Sequence, residues 1–169
     1  IEHLLVMPVT PFEIIASKVW SMGLVVLLSG LLSLMFVVQD LLRVPLAGSL
    51  PLFTAGATLY LFASTSLGIF LGTFARSMAQ FGLLLMMVLL PLQMLSGGVT
   101  PRESMPALVR TVMLLAAPNT HFVMLAQGIL FRGATLAVVW PQFLALALIG
   151  TLFFAVAHAR FRSAITAMA

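Results

Sequence analysis

The sequence holds 169 residues, 62% of them hydrophobic and 7% charged, against about 25% charged in globular proteins, so it has too few charges to cover a soluble surface. Eight Lys and Arg against four Asp and Glu give a formal charge of +4; they are scattered, without a basic run or interleaved aromatic platform, which argues against nucleic acid as a partner and makes the cations membrane-interface residues. The absence of cysteine excludes disulfide scaffolds, thiol chemistry and cysteine metal sites.

The chain opens Ile-Glu-His, with no initiator Met and no basic-then-apolar signal pattern, and reads as the later part of a longer protein. Thr10-Pro11-Phe12-Glu13 then forms a capping box, with Thr at N-cap, Pro at N1 and Glu at N3. It predicts a helix that starts in the interface and enters the bilayer. A crossing needs about 20 apolar residues, and residues 19–38, between Lys18 and Asp40, supply the first.

Residues 51–75 form the second span and stop at Arg76. Ser64, Gly68 and Gly72 recur every four residues on one of its faces, with Gly56, Ala57 and Ala63 adding small side chains nearby. Such a face lets another helix approach closely, within one subunit or between two, or lines a path. Residues 81–95 are a shorter third span kinked at Pro91. Gln93, near its end, is the polar side chain singled out as a path residue. Met86, Met87 and Met94 are read as lipid-facing or core packing.

A second capping box, Thr100-Pro101-Arg102-Glu103, is expected to open an amphipathic segment in the long connection that follows. Residues 111–131 lack charge up to Phe131 and are long enough to cross, but Pro118-Asn119-Thr120-His121 interrupts them. Pro would end one helix and Asn cap the next, leaving two pieces too short to cross. The region of about 101–132 is therefore expected to hold broken, re-entrant helices, which membrane depth tolerates only where protein or water satisfies the backbone. Residues 136–157 make the fourth span, with Trp140 and Pro141 near one end and His158-Ala159-Arg160-Phe161-Arg162 after the other.

The predicted fold is all-α: a polytopic membrane helix bundle of four transmembrane helices with a broken helical hairpin before the last. Charge does not orient it. Lys18, Arg76, Arg160 and Arg162 fall on one side and Arg43, Arg102, Arg110 and Arg132 on the other, a tie under the positive-inside rule. Nor does a reaction centre emerge. Glu2, Glu13, Asp40 and Glu103 sit at helix starts or span ends, outside any crossing. His3, His121 and His158 lack metal-ligand spacing, so no metal or catalytic residue is predicted. An intramembrane enzyme would need polar residues gathered at one depth, and a channel a filter or charged ring; neither pattern is visible.

The segment Glu2-His3-Leu4-Leu5-Val6-Met7-Pro8-Val9-Thr10-Pro11-Phe12-Glu13-Ile14, just before a span, resembles the cytoplasmic segment of ABC-2 type permeases in which a short coupling helix docks on the ATPase. Leu95-Ser96-Gly97-Gly98-Val99-Thr100-Pro101-Arg102-Glu103-Ser104-Met105-Pro106, with Ala117-Pro118-Asn119-Thr120-His121-Phe122 and Gln127-Gly128-Ile129-Leu130, is similar to that family's loop of two short external helices between the last two spans. The likeness covers essentially the whole chain and is nearest to bacterial inner-membrane permeases of the drug-export type, C-terminal part. Family members more often read Asn-Pro-Leu-Thr at Pro118-Asn119-Thr120-His121, so no family role is carried onto Asn119 or His121.

The resemblance implies that the four spans are the third to sixth of a six-helix permease of the bacterial inner membrane. Residues 1–18 and 159–169 would be cytoplasmic, 19–158 transmembrane, and 96–135 periplasmic. It also implies coupling to an ABC ATPase subunit through Glu2, His3, Leu4, Leu5, Met7 and Glu13, and pairing with a second permease copy. A periplasmic adaptor is a further candidate partner. Without a phosphate-binding Gly-Lys-Ser/Thr loop the chain would hold no cofactor, ATP and Mg being bound by the partner. The function so implied is export of an amphipathic or apolar substrate by alternating access. A membrane scaffold or assembly factor that moves nothing is the rival reading, since helix packing serves it equally.

Overall fold

The computed structural model describes the backbone of residues 11–166, the side chains of residues 20–160, and those of Glu13, Ala16 and Ser17. Every regular element among these residues is helical, as expected for a polytopic membrane bundle. Helix α1 (Pro11–Ser33) begins at the proline, whose fixed φ suits the first helical position; the proposed cap Thr10 lies outside the described residues. α1 runs on without a break as a π-helix, Leu34–Leu41, in which the Leu42 amide reaches five residues back to Val37 O at 2.9 Å. The first crossing is thus Trp20–Leu41, and it carries Asp40 in its last turn. Its most apolar window is 0% buried. Apolar side chains lose nothing by facing lipid, so α1 needs no core to be stable there.

Helix α2 (Leu50–Gly72) starts after Ser49, whose Oγ accepts the Leu52 N–H at 3.5 Å. Helix α3 (Met78–Met94) starts after Ser77, which accepts the Gln80 N–H at 3.2 Å while Gln80 Oε1 accepts the Arg76 N–H at 2.9 Å. This Ser-x-x-Gln cap begins the helix three residues earlier than sequence reading placed it. At 17 residues, or roughly 26 Å, α3 is at the short limit for a crossing of about 30 Å. Trp20–Leu41, Leu50–Gly72 and Leu136–Arg160 have the length and apolarity to cross.

Two expectations about the connection after α3 are corrected. Thr100-Pro101-Arg102-Glu103 opens only a 3-10 turn, Arg102–Ser104. Met105 is extended (ψ 141°) because the ring of Pro106 disfavours helical backbone before it, and helix α4 (Ala107–Ala116) follows that proline. Nor does Asn119 cap the next helix. The chain breaks at Ala117 (φ −102°, ψ 106°), and Pro118 is the first residue of α5 (Pro118–Arg132), so Asn119 falls inside its first turn. The α4 and α5 axes meet at 90°. α5 ends at Gly133 in the left-handed region (φ 63°), where a side chain would be strained. α6 (Leu136–Thr166) then returns along the bundle.

α2 is the centre. Its first half joins α5 and α6 around buried Ala63, Leu125, Ile129, Val139 and Leu146, and its second half joins α3 and the α4–α5 break around Leu67, Leu71, Leu92 and Ala117. Two glycines permit this closeness. A Cβ on Gly56 would lie 2.6 Å from Leu125 Cδ2, and one on Gly150 would lie 2.9 Å from Phe62 Cδ1 and 3.0 Å from Ala63 Cα. At the opposite end of α2 the Arg160 guanidinium sits 4.1 Å over the Phe74 ring, a cation–π contact that fastens α6 there.

Candidate functional site

Tyr60, the single tyrosine of the sequence, lies about 15 Å along α2 from Leu50, near the middle of a hydrocarbon layer of about 30 Å. Its Oη donates to Asn119 Oδ1 at 2.8 Å, and Asn119 Nδ2 donates to Gln93 Oε1 at 3.1 Å. One amide thereby joins the first turn of α5 to α2 and to α3. The Tyr60 ring also stacks on Phe122, with centroids 4.2 Å apart and planes inclined by 14°. On the far side of the break, the His121 ring donates from Nε2 to Leu114 O at 2.7 Å and fixes α5 to α4. Pro118 to His121 are all buried, so the start of α5 is inserted into the bundle.

Beside this polar chain is an apolar groove of about 330 Å³ between α1 and α2, walled by Leu27, Leu31, Val38, Phe53, Tyr60 and Phe122. A second groove, about 290 Å³, opens on the other side of Leu27 and Leu61 between Trp20, Leu24 and Phe62. The site can therefore hold an apolar body against a wall with neutral hydrogen-bonding groups behind it. It has no proton-transfer pair, because Tyr60, Asn119 and Gln93 satisfy one another as uncharged donors and acceptors. Tyr60→Phe should keep the stack and lose the hydroxyl bond. The expected result is a stability loss of about 1 kcal/mol in thermal unfolding of the detergent-solubilised protein.

Of the residues singled out in the sequence, Gln93 is brought into this chain. Glu2, His3, Leu4, Leu5 and Met7 lie outside the described residues, and Glu13 is exposed in the first turn of α1. The Ser64, Gly68 and Gly72 face is not where α2 meets its neighbours most tightly. A Cβ on Gly68 would have no atom within 4 Å, and one on Gly72 would meet only Phe81, at 3.6 Å. Tyr60, Asn119 and Phe122 were missed. The available signal was chemical: hydrogen-bonding side chains in charge-free stretches of membrane depth need partners, and those with two-sided capacity find each other.

Several helices able to cross a membrane, a bent helix pair tied into them and an apolar groove beside the tie define a polytopic membrane helix bundle. The sequence matches the family model "ABC-2 type transporter" over residues 1–131, and the chain belongs to that family. It is 62% identical over 169 residues to the inner membrane transport permease YhhJ of Escherichia coli (strain K12), covering 100% of this chain and 45% of that protein. It is 26% identical over 162 residues to the probable multidrug ABC transporter permease YbhR of the same strain, covering 96% of this chain and 44% of that one. The chain thus spans about half the length of the curated relatives it matches. No solved structure matches it. These likenesses and the apolar helices make it a multi-pass protein of the inner membrane.

Proposed function

We propose that this chain is the passive, membrane-embedded part of an ATP-driven exporter, moving an amphipathic or apolar substrate outward by alternating access while a separate ABC ATPase binds ATP and Mg. The observation that carries this reading is the Tyr60–Asn119–Gln93 chain: it ties a re-entrant helix to two bundle helices at mid-depth, directly beside an apolar groove. Separating these helices needs only neutral hydrogen bonds to break, each about 0.6–2 kcal/mol within a membrane. That is within the range a conformational cycle can supply. The 290 and 330 Å³ grooves on either side of Leu27 and Leu61 suit an apolar cargo better than an ion.

In this reading Glu2, His3, Leu4, Leu5, Met7 and Glu13 face the ATPase in the cytoplasm, α4 and α5 lie on the periplasmic side, and a second permease copy completes the path. A periplasmic adaptor would meet the outer ends of the same helices. The Ser64, Gly68 and Gly72 face, open at Gly68 within the chain, is available to another helix of the assembly. The test is the double substitution Leu4→Asp with Leu5→Asp in the complete permease. Co-purification of the ATPase should be lost while membrane insertion is kept; undiminished co-purification would remove the coupling role.

A further inference from the structure

We infer that Arg102 is a seat for a phosphate group, presented in the loop after α3 to a phospholipid head or a free phosphate. The inference goes beyond the transport reading and does not depend on it. Arg43, Arg76, Arg110, Arg132 and Arg160 are exposed; among the arginines whose side chains are described, Arg102 alone is half-buried. Its stem crosses Gly97, whose backbone lies in the positive-φ region (96°) that favours glycine, and a Cβ there would stand 3.0 Å from Arg102 Cγ and Cδ. The loop beneath is tied down. Ser96 is buried, and its Oγ donates to Gln93 O at 2.8 Å and accepts the Gly98 N–H at 3.5 Å. The side chain thus has a fixed course from the Arg102–Ser104 turn to α5.

What the guanidinium meets there is a poor partner for a cation. Nη1 donates to Met124 Sδ at 2.6 Å, and a thioether is a weak acceptor. No carboxylate pairs with Arg102 among the described residues, although Glu103 is its neighbour in sequence. Nε and Nη2 make no bond within the described chain, and neither is enclosed by it. These are the parallel donors with which an arginine takes two oxygens of one anion.

A cation partly withdrawn from water with its donors unused favours an incoming anion, because an unmade bond to a charged group costs more than one to a neutral group. The surroundings select the kind of anion. Leu90 and Met94 at the end of α3, Val99 in the loop and Leu108 in α4 all expose apolar side chains. In a chain of the inner membrane such surfaces meet acyl chains, and the negative charge carried at the boundary of acyl chains is the lipid phosphate. Exposed Arg110, in α4, adds a second positive charge that draws anions toward the same segment.

The experiment uses the complete permease in an uncharged detergent, titrated with dioleoyl phosphatidylglycerol, dioleoyl phosphatidylcholine or inorganic phosphate and read by thermal shift. Phosphatidylglycerol should stabilise the wild type at lower concentration than phosphatidylcholine, whose phosphate is paired with its own ammonium. Arg102→Gln should weaken that response about tenfold. Arg102→Lys, which keeps the charge, should recover most of it, and Gly97→Ala should weaken it by displacing the stem. Arg110→Gln is the contrast: a diffuse effect of charge would make it equal to Arg102→Gln, whereas a seat leaves it close to the wild type. Equal losses in those two variants, Arg102→Lys as weak as Arg102→Gln, or Gly97→Ala binding like the wild type overturns the inference. So does a wild type that answers phosphatidylglycerol no better than phosphatidylcholine and inorganic phosphate not at all. A response to phosphatidylglycerol alone assigns the seat to a lipid head, and a response to inorganic phosphate that is lost in Arg102→Gln assigns it to a free phosphate; both support it. Neither readout needs the ATPase or export, so the failure of this inference and the failure of the transport reading are told apart.

Discussion

In the exporter proposed above, Asn119→Leu should reduce ATP-driven export by about tenfold or more, the rate effect of each 1.4 kcal/mol removed from the operative state, while leaving insertion intact. The substitution removes both bonds of the amide at once, leaving Tyr60 Oη and Gln93 Oε1 without it at mid-depth. Orphaned polar groups of this kind cost roughly 1–3 kcal/mol, equivalent to about 2–4 °C in Tm per kcal/mol for a protein of this size. Asn119→Leu and Gln93→Leu should also be non-additive, with a coupling of at least about 0.5 kcal/mol in a double-mutant cycle. Additive losses would show that the 3.1 Å bond carries no energy, and export at the wild-type rate would detach the chain from transport.

The second large effect is expected at the α2–α6 seam. Gly150→Val should lower the Tm of the solubilised protein by several degrees, because a Cβ there meets Phe62 at 2.9 Å and the Ala63 backbone at 3.0 Å. The ring can rotate, but the Cα cannot. Overpacking costs about 1–3 kcal/mol where neighbours yield, and more where backbone must move. Gly68→Ala is the matched contrast, since nothing lies within 4 Å of its added Cβ. It should leave the Tm of the separated chain unchanged or slightly raised, as alanine favours helix by roughly 1 kcal/mol over glycine. If Gly68→Ala instead reduces recovery of the paired permease, the open small-residue face is covered by another helix of the assembly. If Gly150→Val is tolerated without loss, the close α2–α6 approach is wrong.

Much of the fold was legible because hydrophobicity acts locally. Lipid demands long uncharged runs whose backbone bonds to itself, so the crossings through residues 19–38, 51–75 and 136–157 could be read almost to their ends. Proline was legible for the same reason: Pro118 predicted the break between α4 and α5 through its missing N–H and fixed φ. Details that depend on two neighbouring preferences were harder. Thr100 to Glu103 has the residues of a capping box, yet Pro106 two positions beyond Ser104 stops the helix. Asn119 has the side chain of a cap, but Ala117 takes that place and frees the amide for longer-range bonds. Small residues at four-residue spacing marked α2 as a packing helix, but the tight contacts fall on Gly56 and Ala63, against Leu125 and Gly150, and not on Gly68.

The candidate site was legible in one residue, Gln93. Its partners lie 26 and 59 positions apart along the bonded chain from Gln93 to Asn119 to Tyr60, and no periodicity links such positions. The sequence by itself determined the solvent, the helical class and the break in the re-entrant segment, because each follows from the free energy of short stretches of chain in lipid. Only the tertiary structure decided which polar side chains meet and that the start of α5 is buried, because a hydrogen bond depends on distances set by the packing of whole helices.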